Sequence, residues 1–241
     1  MNGPPQSKRE HLRRWVGSKQ QWSVPLSGDN QARGFRGWHE RGYLPHCDQP
    51  GLVQFITFRL WDSMPASRKG EWEHLLAVSA RSDAPRSEAQ IIALREQRRH
   101  VEEYLDRGLG ECFLRDPRIG ALVEQAILFH RGRRFELLAW VVMPNHVHTL
   151  VQVGQTPLTR IVQNWKSIVA VGANKLLGRT GRFWQPDYWD RRMRDAEQTS
   201  KAVRYIENNP VKAKLCRAPE AWSFSSARFR NPQTRELKLP L

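Results

Sequence analysis

The chain has 241 residues, 39% of them hydrophobic, which is enough for a single domain with its own core. Its 39 basic residues outnumber the 24 acidic ones, for a net charge of +15, and this excess favours a polyanionic partner such as nucleic acid. No apolar run approaches the roughly 20 residues of a membrane span and no secretory signal is visible, so we expect no membrane partner and a cytoplasmic location.

The first half of the chain is predicted to contain a basic arm, one strand and three helices. Residues 1–40 are basic and rich in Gly, Pro, Ser and Gln, which predicts a mostly flexible arm. The segment "LVQFITFRLW" has the β-branched and aromatic residues of a strand. Helical spacing follows over residues 66–80 and 87–107. "DPRIGALVEQAILFH" predicts a third helix, which Asp116 can cap and whose first turn suits Pro117.

The second half is predicted to form a hairpin and two more helices. "RRFELLAWVVM" and "HVHTLVQV" have the pattern of strands joined by a short "PN" break, which indicates an antiparallel hairpin. "PLTRIVQNWKSIVAVGANKLLG" predicts a helix closed by Gly178, followed by a basic, aromatic loop with room for one short strand. Asp195 can cap the last helix, and Pro210 discourages helix beyond Asn209. This order predicts an α+β fold in which helices cover a small antiparallel sheet.

Two histidines, His146 and His148, flank Val147 at the start of the third predicted strand. Alternate residues of a strand share a face, so both imidazoles should point the same way, with Val147 buried on the other face. Two neutral imidazoles on one face form a ready bidentate site for a divalent metal. The pair fits two half-exposed sheet residues equally well, and the pattern alone leaves both interpretations open.

A metal site would need further ligands beside the two histidines. Zinc usually requires additional His or Cys, and none lies nearby in the sequence. Magnesium or manganese fits better if the third ligand is an amide or a carboxylate. In "RYIENNP", Tyr205 and Asn209 are four residues apart and share a helix face, where Asn209 can offer a carbonyl oxygen. By themselves they also fit a core aromatic and an ordinary helix-terminus amide.

Together, "PNHVH" after a strand and "YIENNPVKAKL" on a later helix resemble the single-tyrosine HUH transposases, in particular the REP-associated tyrosine transposases of the insertion sequence 200-like family. "NWKSIVA", "FWQPDYWDRRMRD" and "WSFSSAR" look like family segments as well. The resemblance implies the family's RRM-like (ferredoxin-like) antiparallel sheet. It places this HUH nuclease core at residues 41–230, with a helical insertion at 62–118 and a C-terminal tail at 231–241. One departure is Lys214, where the family often has Gly.

The resemblance also implies what the site residues do. Tyr205 matches the family's nucleophile, and His146, His148 and Asn209 match its ligands for a divalent metal, Mg²⁺ or Mn²⁺. The implied reaction is metal-dependent cleavage and strand transfer of single-stranded DNA through a 5′-phosphotyrosine intermediate, in DNA transposition or recombination. In the REP-associated branch the substrates are palindromic repeats that form hairpins. A monomer or a homodimer is expected, and in the monomer Tyr205 would serve its own chain's histidines.

DNA contacts are predicted mainly in "RTGRFWQPDYWDRRMR". Basic residues interleaved with aromatics suit single strands, because bases stack on rings while phosphates pair with cations. The resemblance adds a lysine in "NWKS" as a phosphate contact. The predicted DNA-binding residues are Lys166, Arg182, Trp184, Arg191, Arg192 and Arg194. The same loop also fits a folded segment with solvated arginines, and we expect at least half of its aromatics to lie in the core.

Two other functions stay open. A nucleic-acid-binding module without catalysis, descended from such an enzyme, would show the same charge, but a decayed enzyme often loses one of its four site residues and all four are present. A structural zinc protein fits less well, because the three cysteines are far apart in the sequence and form no paired motif.

Overall fold

A four-stranded antiparallel sheet forms the centre of the computed structural model, which describes residues 25–40, 45–64 and 102–239 and the isolated positions 10, 13, 96 and 100. The elements, in chain order, are α1 (Gly28–Ala32), β1 (Gly37–Glu40), β2 (Pro45–Asp48), β3 (Val53–Arg59), α2 (Pro117–Leu128), β4 (Phe135–Val142), β5 (His146–Val153), α3 (Leu158–Leu176), β6 (Trp189–Arg192) and α4 (Ala196–Lys212). The sheet has the spatial order β4-β5-β3-β6. With the succession β3-α2-β4-β5-α3-β6, this order is the ferredoxin-like arrangement, so the predicted α+β fold class is confirmed.

One face of the sheet packs on α2 and α3 and holds the larger core. Phe58 on β3 and Trp165 on α3 belong to it, and both are almost fully buried. The predicted start of α2 is confirmed, because the Asp116 side chain accepts a hydrogen bond of 2.9 Å from the backbone N–H of Arg118. The two helices lie close together at Gly172, where an added Cβ would stand 2.5 Å from a methyl group of Leu122.

The opposite face of the sheet packs on α4. Phe55 on β3 and Leu150 on β5 form a second, smaller core together with Ala202 and Ile206 of the helix. The sheet is therefore a middle layer, covered by a helix pair on one side and by α4 on the other. Because α4 covers the face of the sheet that carries the two histidines, its side chains form part of their surroundings.

The C-terminal end of α4 differs from the prediction, since the helix runs through Pro210 to Lys212 instead of stopping at Asn209. A proline removes one backbone donor, but here the loss falls in the last turn and the buried side of the helix holds Pro210 in place. The helix then closes with a hydrogen bond of 2.8 Å from the N–H of Leu215 to the carbonyl of Pro210. Lys214 takes the left-handed conformation at φ 58°, the geometry that favours glycine after a helix.

The predicted hairpin is confirmed as β4 and β5. The two strands pair in antiparallel register from Phe135↔Val153 to Val142↔Val147, with one irregularity between Leu137 and Ala139. Just beyond β4, the N–H of Met143 donates a hydrogen bond of 2.8 Å to the carbonyl of His146. This tight "PN" connection places both histidines at the very start of β5.

Part of the predicted arm is wrong. Within residues 1–40, α1 and β1 are ordered, and β1 pairs antiparallel with β2 in a separate two-stranded sheet. Phe35 between them is buried in the larger core, and this burial offsets the cost of ordering a Gly-rich segment. Most of residues 1–24 lies outside the described part of the chain, so the prediction for them stays open.

The predicted helical insertion at 62–118 falls largely outside the described residues. Within it, positions 102–106 are helical, whereas the predicted helix at 66–80 is not described. In the part of the chain that the structure does describe, no helix combines the length and apolar character needed to cross a membrane.

Candidate functional site

The two histidines lie side by side on the face of the sheet that α4 covers. Their ring centroids are 4.7 Å apart, while Val147 between them points into the larger core, as strand alternation predicts. The burial was not predicted, because His146 is fully buried and His148 is 3% exposed. The interpretation as half-exposed surface residues is therefore wrong.

A hydrogen bond orients each imidazole through its Nδ1 atom. Nδ1 of His146 lies 2.8 Å from Oδ1 of Asn145, and since an amide oxygen only accepts, this nitrogen donates and Nε2 keeps its lone pair. Nδ1 of His148 lies 2.8 Å from Oγ1 of Thr57 on the neighbouring strand. Metal-binding histidines are commonly fixed in this way by a partner on the second ring nitrogen.

Both imidazoles are neutral at physiological pH. Burial lowers the pKa of His146 to about 3, and the positive charges of Arg59 and Lys212 act in the same direction. Burial likewise takes the pKa of His148 well below its ordinary value, with His146 and Lys212 as further causes. The neutral ring is the form that binds a metal.

Tyr205 on α4 lies beside His148, and Asn209 lies on the same face of the helix as Tyr205. The Tyr205 ring is half-buried, with its centroid 5.6 Å from that of His148 and 5.8 Å from that of Phe55. Asn209 follows one helical turn later and is fully buried. The predicted shared face therefore exists, and it brings the tyrosine next to a histidine of its own chain.

Unsatisfied buried atoms occur among the predicted metal ligands. Nε2 of His146 and both side-chain polar atoms of Asn209 are buried and have no hydrogen-bond partner among the described residues. Buried polar groups without partners are costly and call for a ligand or another explanation. No group of three His, Cys, Asp or Glu suited to a metal occurs in the described segments. The amide of Asn209, the third ligand predicted from the family resemblance, is a type that magnesium and manganese accept.

Two cations and one carboxylate near the site were not predicted. Arg59 lies opposite His146 in the β3–β5 register and donates a hydrogen bond of 3.0 Å to Oγ of Ser63. Nζ of Lys212 lies 5.8 Å from the centroid of the Tyr205 ring and 3.1 Å from Oδ2 of Asp106. Lys212 could have been predicted to lie near the site, because it follows Asn209 by three residues on the same helix. The position of Arg59 could not, because it depends on the register between β3 and β5.

Two of the predicted DNA-binding residues, Trp184 and Lys166, make contacts within the fold, and Trp184 belongs to the larger core. Trp184 is 5% exposed, packs edge-on against Phe58, and donates a hydrogen bond of 3.0 Å to the carbonyl of Lys166. The Lys166 ammonium donates to the carbonyls of Gln185 and Pro186 at 2.7 and 3.0 Å. Trp184 therefore cannot stack on a base without leaving the core, and Lys166 holds the loop in place.

Three of the four aromatic residues in this loop are buried, which confirms that at least half of them are core. The four arginines predicted to contact DNA are exposed: Arg182, Arg191, Arg192 and Arg194. Arg191 lies opposite Phe55 in the β3–β6 register and so shares the face of the histidines, whereas Arg192 lies opposite Gln54 on the other face. Arg191 is thus the arginine on β6 that is best placed beside the site.

An exposed tryptophan at the end of β3 was also missed. The Trp61 side chain is 44% exposed, and the Arg182 guanidinium lies 5.0 Å from its ring centroid. Such a pair presents a flat ring and a cation together, which suits stacking and phosphate contact with a single strand.

The chain is similar in sequence to known proteins. Residues 121–209 match the family described as "Transposase IS200 like", so the chain is similar to the IS200-like transposases and the resemblance read from the sequence is confirmed. More particularly, it is similar to the REP-associated tyrosine transposase of Escherichia coli (strain K12), 30% identical over 101 residues that cover 40% of this chain and 56% of that protein.

A second relative also has a name of the REP-associated type. The putative REP-associated tyrosine transposase of Haemophilus influenzae is 28% identical over 105 residues, covering 38% of this chain and 58% of that protein, so the match spans little more than half the length of either relative. A solved structure of a REP-associated tyrosine transposase bound to a REP hairpin has 19% identity and a TM-score of 0.46 over 76% of this chain and 81% of that chain.

Proposed function

We propose that this protein cleaves and rejoins single-stranded DNA through a 5′-phosphotyrosine intermediate, with a divalent metal, Mg²⁺ or Mn²⁺, as cofactor. One observation carries the proposal: the Tyr205 ring lies 5.6 Å from a neutral, buried His148 that forms a pair with His146. Tyrosine can act as a covalent nucleophile, and the buried His146 has a ring nitrogen, Nε2, without a partner among the described residues, which is ready to bind a metal. This combination is unexpected in a protein that only binds nucleic acid.

In the proposed step, the phenol oxygen of Tyr205 forms a bond to the scissile phosphorus and the bond from phosphorus to the 3′ oxygen breaks. The phenol loses its proton and the departing 3′ oxygen gains one, so the products are a 5′-phosphotyrosine and a 3′-hydroxyl. A 3′-hydroxyl then attacks the phosphotyrosine to rejoin the strand without an outside energy source. A phenol has an ordinary pKa of about 10 and needs help at neutral pH.

His146, His148 and Asn209 would hold the cofactor. When bound, a divalent cation polarises the phosphate and offsets the charge that develops on it. Arg59 and Lys212 add positive charge at the same place, which favours a phosphate there. The protein residues thus supply the nucleophile, the metal ligands and a positive field.

We further propose that the substrate is hairpin-forming DNA and that the tyrosine acts in cis. The names of the two relatives as REP-associated transposases support a palindromic, hairpin-forming substrate, and the net charge of +15 supports a polyanion. The proximity of Tyr205 to His148 within one chain supports attack beside that chain's own histidines. A monomer is then sufficient for cleavage, although a homodimer remains compatible with it.

The test is a denaturation-resistant protein–DNA adduct. The protein is incubated with labelled single-stranded hairpins from its own genome, with Mg²⁺, with Mn²⁺ or with chelator, and separated under denaturing conditions. We expect a metal-dependent adduct that Tyr205→Phe and His146→Ala abolish while DNA binding survives. Tyr104→Phe, which removes a phenol hydroxyl elsewhere, is the matched control and should leave the adduct unchanged.

An adduct that persists in Tyr205→Phe would exclude this tyrosine as the nucleophile. The absence of any adduct, together with tight and salt-sensitive binding, would favour the non-catalytic nucleic-acid-binding module instead.

A further inference from the structure

Lys212 lies at the edge of the site, on the same helix as the tyrosine. It is seven residues after Tyr205 and three after Asn209, so it shares their helix face, and its Nζ is 5.8 Å from the Tyr205 ring centroid. Its charge is felt by both imidazoles, since it lowers the pKa of His146 and of His148. A phosphate placed between Tyr205 and the histidines would therefore be close to this ammonium group.

In the structure, the Lys212 ammonium pairs with Asp106, at 3.1 Å from Oδ2. The lysine side chain is 44% exposed, whereas the aspartate side chain is only 12% exposed. The other carboxylate oxygen, Oδ1, is buried and has no hydrogen-bond partner in the described part of the chain. Burial raises the pKa of Asp106 despite the opposing effect of Lys212. Lys212 is the more exposed partner and can be reached by an incoming phosphate. The raised pKa of Asp106 favours uptake of a proton by the carboxylate when the lysine leaves.

We propose that Lys212 is a phosphate ligand for single-stranded DNA, held by Asp106 in the absence of DNA and transferred to a backbone phosphate beside Tyr205 when DNA binds. This inference rests on the proposed function only in placing the strand at Tyr205. The exchange replaces one anionic partner of Lys212 by another, so the cation stays paired throughout. Asp106 comes from the segment before α2 and thereby links that segment to the occupancy of the site.

The test measures reversible binding, so every variant carries Tyr205→Phe. The probe is a fluorescent DNA hairpin with single-stranded flanks, and its Kd is measured over a series of salt concentrations. Each phosphate contact to a single strand contributes about 0.7 to the slope of log Kd against log salt. We expect Lys212→Gln to lower the slope by about that amount, and Lys212→Arg to keep it.

A matched control lies on the same helix. Lys201 forms an exposed ion pair with Glu197, so Lys201→Gln removes the same charge away from the site and should leave the slope unchanged. Asp106→Asn frees Lys212 and should tighten binding about two- to fivefold, because the lysine end of the ion pair is partly exposed to solvent. That gain should vanish when Asp106→Asn is combined with Lys212→Gln.

An unchanged slope in Lys212→Gln, or a gain from Asp106→Asn that persists in the double variant, would overturn the inference. If no variant binds the probe, both the inference and the proposed function fall. If the chain with Tyr205 forms no adduct while Lys212→Gln still lowers the slope, the proposed strand transfer is contradicted and the phosphate contact of Lys212 is supported. The reverse result, an adduct with an unchanged slope, would overturn only the inference that Lys212 binds a phosphate.

Discussion

Two buried histidine clusters with opposite electrostatics lie on this fold. In the first, the carboxylate cluster, His46 of β2 lies between two aspartates. Its Nδ1 contacts the carboxylate of Asp190, and its Nε2 lies 3.2 Å from Oδ1 of Asp187. In the second, the site cluster, the members are His146, His148 and Asn209. The carboxylates raise the pKa of His46 to about 10 despite its burial, whereas the pKa of His146 falls to about 3.

The difference shows that burial alone does not tell what a histidine does. Both clusters are taken out of water, but in the carboxylate cluster both ring nitrogens of His46 have partners, and the imidazolium joins β2 to β6 and its preceding loop. In the site cluster, Nε2 of His146 and the Asn209 amide have no such partner among the described residues. A buried cluster whose polar atoms all have hydrogen-bond partners stabilises the fold. A buried cluster with polar atoms that lack partners carries a desolvation cost and is expected to bind a ligand.

The largest expected effect on stability comes from breaking the carboxylate cluster. His46→Gln leaves two buried carboxylates without their cation, and removal of one partner of a buried ion pair typically costs about 3–5 kcal/mol. We expect a loss of that size in the free energy of unfolding, measured by urea denaturation. His100→Gln, at an exposed histidine near Glu103, is the control and should change stability by less than about 0.5 kcal/mol. A loss below 1 kcal/mol for His46→Gln would contradict a charged, paired His46.

The pH dependence of stability should follow the same cluster. Since the pKa of His46 is raised from 6.5 to about 10 in the folded state, its contribution is fully present below pH 6.5 and is lost as the pH rises through 10. We expect the wild type to lose about 2–4 kcal/mol more than His46→Gln between these limits. Urea denaturation at a series of pH values measures this, and parallel curves for the two proteins would show that His46 is not the titrating group.

Local patterns predicted the geometry of the site cluster better than its environment. Alternation along a strand placed His146 and His148 on one face, and helical spacing placed Tyr205 beside Asn209, because both rules involve only neighbouring residues. The burial of the histidines could not be predicted, because α4, which covers them, lies about fifty residues further along the chain.

Long-range pairing explains the features that the sequence did not predict. His46 and Asp190 are 144 positions apart, so neither residue type alone indicates the carboxylate cluster. Trp184 was predicted to stack on DNA bases because arginines flank it in the sequence. In the structure, an antiparallel bridge between Trp184 and Leu60 places its side chain in the core. The β1–β2 pairing likewise overrode a Gly-rich composition that predicted a flexible arm. In each case tertiary contacts outweighed a local preference.

A smaller and opposite effect on stability is expected from the site cluster. Asn209→Leu replaces a buried amide, which has no partner in the described part of the chain, by an apolar side chain of similar size, and this removes a desolvation cost. We expect the free energy of unfolding to stay level or rise by about 1 kcal/mol, while the metal-dependent adduct is lost. The neighbouring Asn208, whose amide donates to the carbonyl of Arg204 at 2.8 Å, is the matched control, and Asn208→Leu should retain the adduct.

The two readouts for Asn209→Leu, unfolding in urea and adduct formation with the hairpin probe, separate a structural residue from a ligand. A stability loss above about 1 kcal/mol would mean that the amide supports the fold, as His46 does, and would remove the contrast between the clusters. Retained stability with a lost adduct would mean that the fold tolerates an unsatisfied amide because the reaction requires it. Stability and activity would then change independently, as expected where a protein keeps a costly polar group for function.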